Sequence, residues 1–192
     1  SRRSSAAPAR APRTPRPATS DTLAPMHYTI TDDFDTSLEH YWEVFFDDAY
    51  NAGLYQRLRI GREVLELKRE GEGDGLVIRR KIKLSPQREV PALVAKFVKG
   101  AITYTEQNVY TARASTIEVV TIPGFMADSL TTRGVYKVAA LGPNKVRRTW
   151  DGDVICKIPL LGGKIEKGIV DEVTQSYRDT TDFTRKWLAE HP

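Results

Sequence analysis

Apolar residues recur every fourth position near the end of the chain, and this spacing predicts one long helix over residues 159–188. On a helix with 3.6 residues per turn, such positions fall on one stripe. A stripe of this kind covers either a solid core or a cavity that the protein fills and empties. It contains Ile165, Ile169, Val173, Tyr177, Phe183 and Trp187. The opposite face is polar and is expected to tolerate substitution; it contains Glu166, Asp171, Glu172 and Arg178.

A short strand and a helix are predicted at the other end of the folded part. Polar and apolar residues alternate over 27–34, as in a strand with one buried face. Thr36 and Glu39 then match a capping box, in which each side chain bonds a free backbone amide of the first helical turn. The helix is predicted over 37–50 because apolar residues follow at helical spacing: Leu38, Tyr41, Trp42, Phe45 and Ala49.

The middle of the chain changes to a period of two, which predicts strands. Residues 58–70 and 76–84 alternate and are joined by a glycine-rich turn at 71–75, the pattern of a hairpin. An apolar segment at 90–100 is predicted as a short helix. Four further strands are predicted at 101–110, 115–122, 131–141 and 145–160. Strands grouped together, with helices segregated around them, indicate an α+β fold.

The basic character of the chain resides in its first twenty residues. This segment has five arginines and no acidic residue, so the formal net charge of +4 falls to −1 without it. A nucleic-acid-binding domain requires basic residues on the fold itself, so we expect no nucleic-acid partner. The segment is rich in Ala, Pro and Ser and has no hydrophobic period.

We therefore expect a disordered tail at 1–25 and one folded domain at 26–192. Three interpretations of the tail stay open: a transit-type targeting peptide, a disordered arm, or upstream sequence that is not translated before Met26. No apolar run approaches the ~20 residues that span a bilayer. We expect a cytoplasmic protein, or an organellar one if the tail belongs to a transit peptide.

Few residues suggest metal, cofactor or nucleophile chemistry. His27, His40 and His191 have no metal-ligand spacing, and His40 is expected to be a solvated surface residue. The single cysteine, Cys156, alternates with apolar residues and reads as a buried hydrophobe. No phosphate-binding or nucleophile motif is present, so we expect no metal, no cofactor and no catalytic residue.

Three charged residues share the apolar faces of their strands. Arg80, Glu106 and Arg148 alternate with residues that should point into the core. An unpaired buried charge costs several kcal/mol, so these residues should pair or meet a polar ligand head. A shift of one residue in register would instead place all three at the surface.

Several segments resemble the START-like superfamily, which has the SRPBCC or helix-grip fold and includes polyketide cyclases. The resemblance covers about 27–190 and is closest to a mostly bacterial subfamily of uncharacterised function. It is carried by FDTSLEHYWEVFFDDAYN (34–51), YTEQNVYTAR (104–113), NKVRRTWDGDV (144–154) and IPLLGGKIEKGI (158–169). It implies a curved antiparallel sheet of six to seven strands around the C-terminal helix, with a cavity between them.

The resemblance and the strand faces together suggest a hydrophobic small-molecule ligand, such as a lipid, sterol or polyketide-like molecule. A cyclase/aromatase-type enzyme that uses the same pocket and a non-catalytic interaction module are the alternatives. We expect a monomer and allow a transient membrane contact. Gate residues are predicted at Phe97, Phe125 and Met126. Predicted ligand-binding residues are Arg80, Tyr104, Glu106, Tyr136, Arg148, Trp150, Ile169, Val173 and Tyr177.

Overall fold

The computed structural model describes residues 24–87, 95 and 100–192. Over these residues, seven strands form one antiparallel sheet with three α-helices. The helix predicted at 90–100 lies outside the described residues except for Ala95 and Gly100. The elements in chain order are β1 Met26–Phe34, α1 Leu38–Phe46, α2 Asp48–Arg57, β2 Ile60–Glu70, β3 Val77–Pro86, β4 Tyr104–Thr111, β5 Thr116–Pro123, β6 Leu130–Gly142, β7 Lys145–Cys156 and α3 Gly162–Glu190.

The sheet has the order β1-β7-β6-β5-β4-β3-β2, so β2 to β7 are neighbours in chain order and β1 returns beside β7. Register shifts in the β2–β3 and β6–β7 pairs add to the natural twist, and such irregularities bend a sheet. α3 packs across β1 and β7 and against α2. This confirms the predicted α+β, helix-grip arrangement with short helices after the first strand.

The helix predicted over 37–50 is two helices, because Asp47 has an extended backbone and ends α1. Its carboxylate accepts a hydrogen bond from the Tyr50 amide at 2.6 Å and so caps α2. The Asn51 side chain donates to the backbone oxygens of Phe45 and Asp47, and the Asn51 amide also donates to Asp47. These hydrogen bonds stabilise the break between the two helices, which the spacing of apolar residues did not predict.

The first cap also differs from the expected capping box. Ser37, not Thr36, is the N-cap residue of α1, and its hydroxyl accepts a hydrogen bond from the His40 amide at 3.2 Å. Glu39 is exposed in the first turn, where its negative charge favours the helix N-terminus. His40 is not simply solvated as expected: its Nε2 donates to the His191 backbone oxygen at 2.9 Å.

Strand register places the three charged residues on the core face, as predicted. Arg80 lies between Ile78 and Ile82, which are both 2% exposed. Glu106 pairs with Ile82 across the β3–β4 ladder, and Arg148 is itself 1% exposed. The alternative register, with these residues at the surface, is therefore not the one adopted.

None of the described helices is long and apolar enough to cross a membrane. The boundary between a tail at 1–25 and a domain at 26–192 stays a prediction, because residues 1–23 lie outside the described part of the chain.

Candidate ligand-binding site

Arg148 is held by residues from β1 and α3. Its guanidinium donates to the Asp32 carboxylate and to the Thr181 hydroxyl. It also lies over the rings of Phe34 and Tyr177, at 5.0 and 4.9 Å from their centroids. Arg148 was predicted to pair or to meet a polar ligand head; it pairs with Asp32, which was not among the predicted site residues. The only sequence signal for Asp32 was its alternation with apolar residues in β1.

Trp150 lies flat against the concave face of the sheet. Gly134 and Gly152 pair with each other across β6 and β7 directly beneath the indole. A Cβ atom built on either glycine would lie 2.6 Å from the Trp150 side chain, so both positions need glycine for this close approach. Tyr177 of α3 faces the indole with 6.0 Å between ring centroids.

Tyr136 is on the same face, one strand away from Trp150. Its hydroxyl is hydrogen-bonded to the Tyr41 hydroxyl of α1. Burial raises the pKa of both phenols, so both are neutral at physiological pH. Three of the predicted ligand-binding residues, Tyr136, Trp150 and Tyr177, thus converge with Arg148 beneath α3.

The predicted helix residues have different neighbours. Ile169 packs on the apolar cluster formed by Leu130, Cys156 and Ile165. Tyr177 packs on the main core, while Val173 belongs to neither cluster and is partly exposed. Val173 is therefore the member of the three whose side chain is least committed to packing.

Arg80 and Glu106 lie on the neighbouring strands β3 and β4. The Arg80 guanidinium lies over the rings of Phe45 and Phe46, at 5.2 and 4.9 Å. Burial raises the pKa of the Glu106 carboxyl, although the charge of Arg80 and a hydrogen bond from Asn108 oppose this rise. Burial also raises the pKa of Tyr177 well above its usual value, and the charge of Glu106 adds to the rise. The charge of Glu106 on β4 therefore affects the pKa of Tyr177 on α3.

Of the remaining predicted residues, the structure describes Tyr104, Phe125 and Met126. Tyr104 is partly exposed and on the same face as Glu106, two residues away. Met126 has a left-handed backbone (φ 56°) and packs beside Leu130, with Phe125 next to it. Gly124 is held by a 2.7 Å hydrogen bond from its amide to the Thr103 oxygen. Phe97 lies outside the described residues, so the gate stays a prediction.

The last helix was expected to have a polar outer face that includes Glu166, but Glu166 is buried. It is 5% exposed, and its carboxylate accepts a 2.8 Å hydrogen bond from the Cys156 amide at the end of β7. The bond joins α3 to the sheet, and helical spacing alone put Glu166 with the surface residues.

We expect Glu166→Ala to lower the free energy of unfolding by about 1–3 kcal/mol, because the buried Cys156 amide loses its acceptor. Glu166→Gln keeps an acceptor oxygen and should lose much less. Arg178→Ala, at an exposed position of the same helix, is the control for loss of a polar side chain. Urea unfolding of the three variants measures the difference, and equal losses for Ala and Gln at 166 would contradict the assignment.

A surface groove of about 360 Å³ lies elsewhere, between α1, the start of α2 and the end of α3. It contains none of the predicted ligand-binding residues. It is lined by His40, Glu43, Val44, Asp47, Ala49, Trp187 and His191. Among the described residues, no three His, Cys, Asp or Glu side chains are grouped to hold a metal ion.

The sheet packs around α3 as in proteins of the START superfamily, and several solved structures have the same fold as this chain. A START superfamily protein from Mycobacterium smegmatis superposes with a TM-score of 0.56 at 15% identity, covering 86% of this chain and 99% of that one. The Zhui aromatase/cyclase from a Streptomyces species gives 0.55 at 11% identity, covering 85% and 93%. Norcoclaurine synthase from Thalictrum flavum gives 0.51 at 16% identity, covering 89% and 91%.

The chain belongs to a family described as "Protein of unknown function (DUF2505)", whose model matches residues 29–188. This agrees with the predicted resemblance to an uncharacterised subfamily of the START-like proteins. No curated protein matches the sequence.

Proposed function

We propose that this protein binds a hydrophobic small molecule between the concave face of its sheet and α3. The proposal rests on one observation: the Trp150 indole lies on Gly134 and Gly152, Tyr177 of α3 faces it at 6.0 Å, and Tyr177 and Glu106 remain partly exposed although both lie on the inner face. Inward-facing side chains that stay partly exposed are expected where a space separates the helix from the sheet. The indole of Trp150 and the side chains of Val173 and Ile169 supply apolar walls for it.

Carrier function is favoured over catalysis because the Asp32 carboxylate and the Tyr136 hydroxyl near Trp150 are already engaged. Arg148 Nε and Trp150 Nε1 are buried without a hydrogen-bond partner among the described residues, but they are donors that do not transfer protons. Arg148 is paired with Asp32 and Thr181, and Tyr136 with Tyr41. Such groups position the walls of a pocket and leave few free acids or bases. A ligand would be held mainly by apolar contact.

A cyclase/aromatase-type enzyme is the second candidate, and one observation favours it. The raised pKa of Glu106 brings its carboxyl closer to the range useful for proton transfer. One of the proteins with the same fold is an aromatase/cyclase. Native mass spectrometry separates the candidates: a co-purifying lipid-like molecule that is released unchanged supports the carrier, and its conversion by fresh protein supports the enzyme.

We expect Val173→Trp to leave the free energy of unfolding nearly unchanged while strongly reducing uptake of a fluorescent fatty-acid or sterol probe. Val173 is partly exposed and belongs to the apolar stripe of α3, so the added rings can fill the proposed space. In a solid core the same change would cost about 1–3 kcal/mol through overpacking.

Arg178→Trp introduces the same indole at an exposed position of α3 and should change neither measurement. A destabilised Val173→Trp protein, together with a wild type that takes up no apolar probe, would refute the binding function.

A further inference from the structure

A polar cluster formed by side chains from α2, β2, β3 and β4 shares Glu106 with the proposed binding site. Tyr55 comes from α2, Arg62 from β2, Arg80 from β3, and Glu106 and Asn108 from β4. The Arg62 guanidinium lies 5.3 Å from the centroid of the Tyr55 ring. Only Arg80 and Glu106 were singled out from the sequence. The cluster is therefore larger than the pair that strand alternation predicts.

Two atoms of this cluster are buried without a hydrogen-bond partner: Arg62 Nε, a donor, and Asn108 Oδ1, an acceptor. Asn108 is 5% exposed, and its side chain is hydrogen-bonded to Glu106, which directs the amide oxygen away from that carboxylate. Leaving a buried polar group unsatisfied costs about 1–3 kcal/mol, and native proteins keep few such groups. An unpaired donor and an unpaired acceptor in one cluster indicate a missing polar partner.

The charges of the cluster indicate the chemistry of that partner. Arg62 and Arg80 carry two positive charges, and Glu106 carries the one negative charge of the five residues. Burial lowers the pKa of Arg80; Tyr55 and Glu106 oppose this and the charge of Arg62 adds to it, and the pKa remains lowered overall, so the site disfavours its own excess of positive charge. Burial raises the pKa of Tyr55 to about 12, which leaves a neutral phenol. One further negative charge would balance the cluster.

We propose that this cluster binds the carboxylate head of an amphipathic ligand, with Arg62 Nε and the Arg80 guanidinium donating to its oxygens. The proposal rests on the binding function proposed above and specifies the ligand class for the same space. Arginine suits this role because its planar, rigidly oriented donors match the geometry of a carboxylate. Asn108 Oδ1 accepts from a hydroxyl of the ligand or from a water bound with it. The apolar body of the ligand then extends toward Val173 and Tyr177.

The test compares pyrenyl-decanoic acid with its methyl ester, two probes with the same apolar body, of which one has a charged carboxylate head and the other a neutral ester. Fluorescence titration of the full chain at neutral pH should give an affinity for the acid at least about tenfold higher than for the ester. Arg62→Met should reduce this preference to about twofold or less. Glu106→Gln should increase the preference, because it removes the negative charge that competes with the ligand. Arg79→Met, on the exposed side of β3, is the matched control and should preserve the preference.

The outcomes separate this inference from the function on which it rests. Binding of neither probe refutes the proposed function and the head-group site together. Equal binding of both probes by the wild type refutes the head-group site alone and leaves a hydrophobic pocket. Should Arg62→Met fail to fold, Glu106→Gln and Arg62→Lys decide. A fall in acid preference for Glu106→Gln, or an unchanged preference for Arg62→Lys, contradicts the proposal.

Discussion

Replacing Trp42 by alanine is expected to lower the free energy of unfolding by about 3–5 kcal/mol, the usual cost of truncating a buried tryptophan. Trp42 is 7% exposed at the centre of the core. Its ring lies 4.7 Å from that of Tyr110 on β4 and 5.4 Å from that of Phe45 on α1. The indole nitrogen also donates a 2.8 Å hydrogen bond to the Ser115 hydroxyl. Truncation would therefore create a cavity and remove the bond that ties α1 to the turn between β4 and β5.

Urea unfolding followed by circular dichroism measures this loss, with Trp42→Phe and Leu141→Ala as comparisons. The phenylalanine variant keeps most of the ring packing and should fall between wild type and alanine. Leu141 is 48% exposed, so its truncation should change stability little. Unfolding of Trp42→Ala at the urea concentration of the wild type would mean that α1 is peripheral to the core.

Asp32→Ala is expected to cost about 3–5 kcal/mol, because it leaves the Arg148 guanidinium buried without its counter-charge. Arg148 is 1% exposed, and Thr181 and the flanking rings cannot neutralise its charge. The adjacent pair provides a matched control: Arg147 bonds Asp33 at 2.7 and 3.0 Å, but both side chains reach solvent. Asp33→Ala should therefore have only a small effect.

A double replacement tests the cause of the loss. Removing both charges, as in Asp32→Leu combined with Arg148→Met, should recover most of the stability that Asp32→Ala loses, because an apolar pair can replace a buried ion pair. The wild type, Asp32→Leu, Arg148→Met and the double variant form a double-mutant cycle, which gives the coupling energy between Asp32 and Arg148. Equal effects of Asp32→Ala and Asp33→Ala would show that burial does not strengthen the inner pair.

The fold class followed from local periodicity, because a core-facing side chain must recur every second residue in a strand and about every 3.6 in a helix. The stripe from Ile165 to Trp187 identified α3, and alternation placed Arg80, Glu106 and Arg148 on the inner face. Each of these features depends on only a few neighbouring residues, so a short stretch of sequence is enough to predict it. Element ends were less accurate: β7 stops at Cys156 and not at 160, and Leu160 there has a left-handed backbone (φ 66°).

Pairing between distant segments was decided by tertiary structure alone. Alternation could place Arg148 inside, but its partner Asp32 is 116 residues away in sequence. Helical spacing assigned Glu166 to the surface, whereas the approach of the β7 end makes it a buried acceptor. The polar cluster around Glu106 likewise brings Arg62 of β2 together with Asn108 of β4, which lies on the other side of β3. A sequence determines which face each side chain takes within its own element, because that depends on backbone geometry. The partners it meets depend on how the sheet curves and where α3 crosses it, and only the assembled fold settles those.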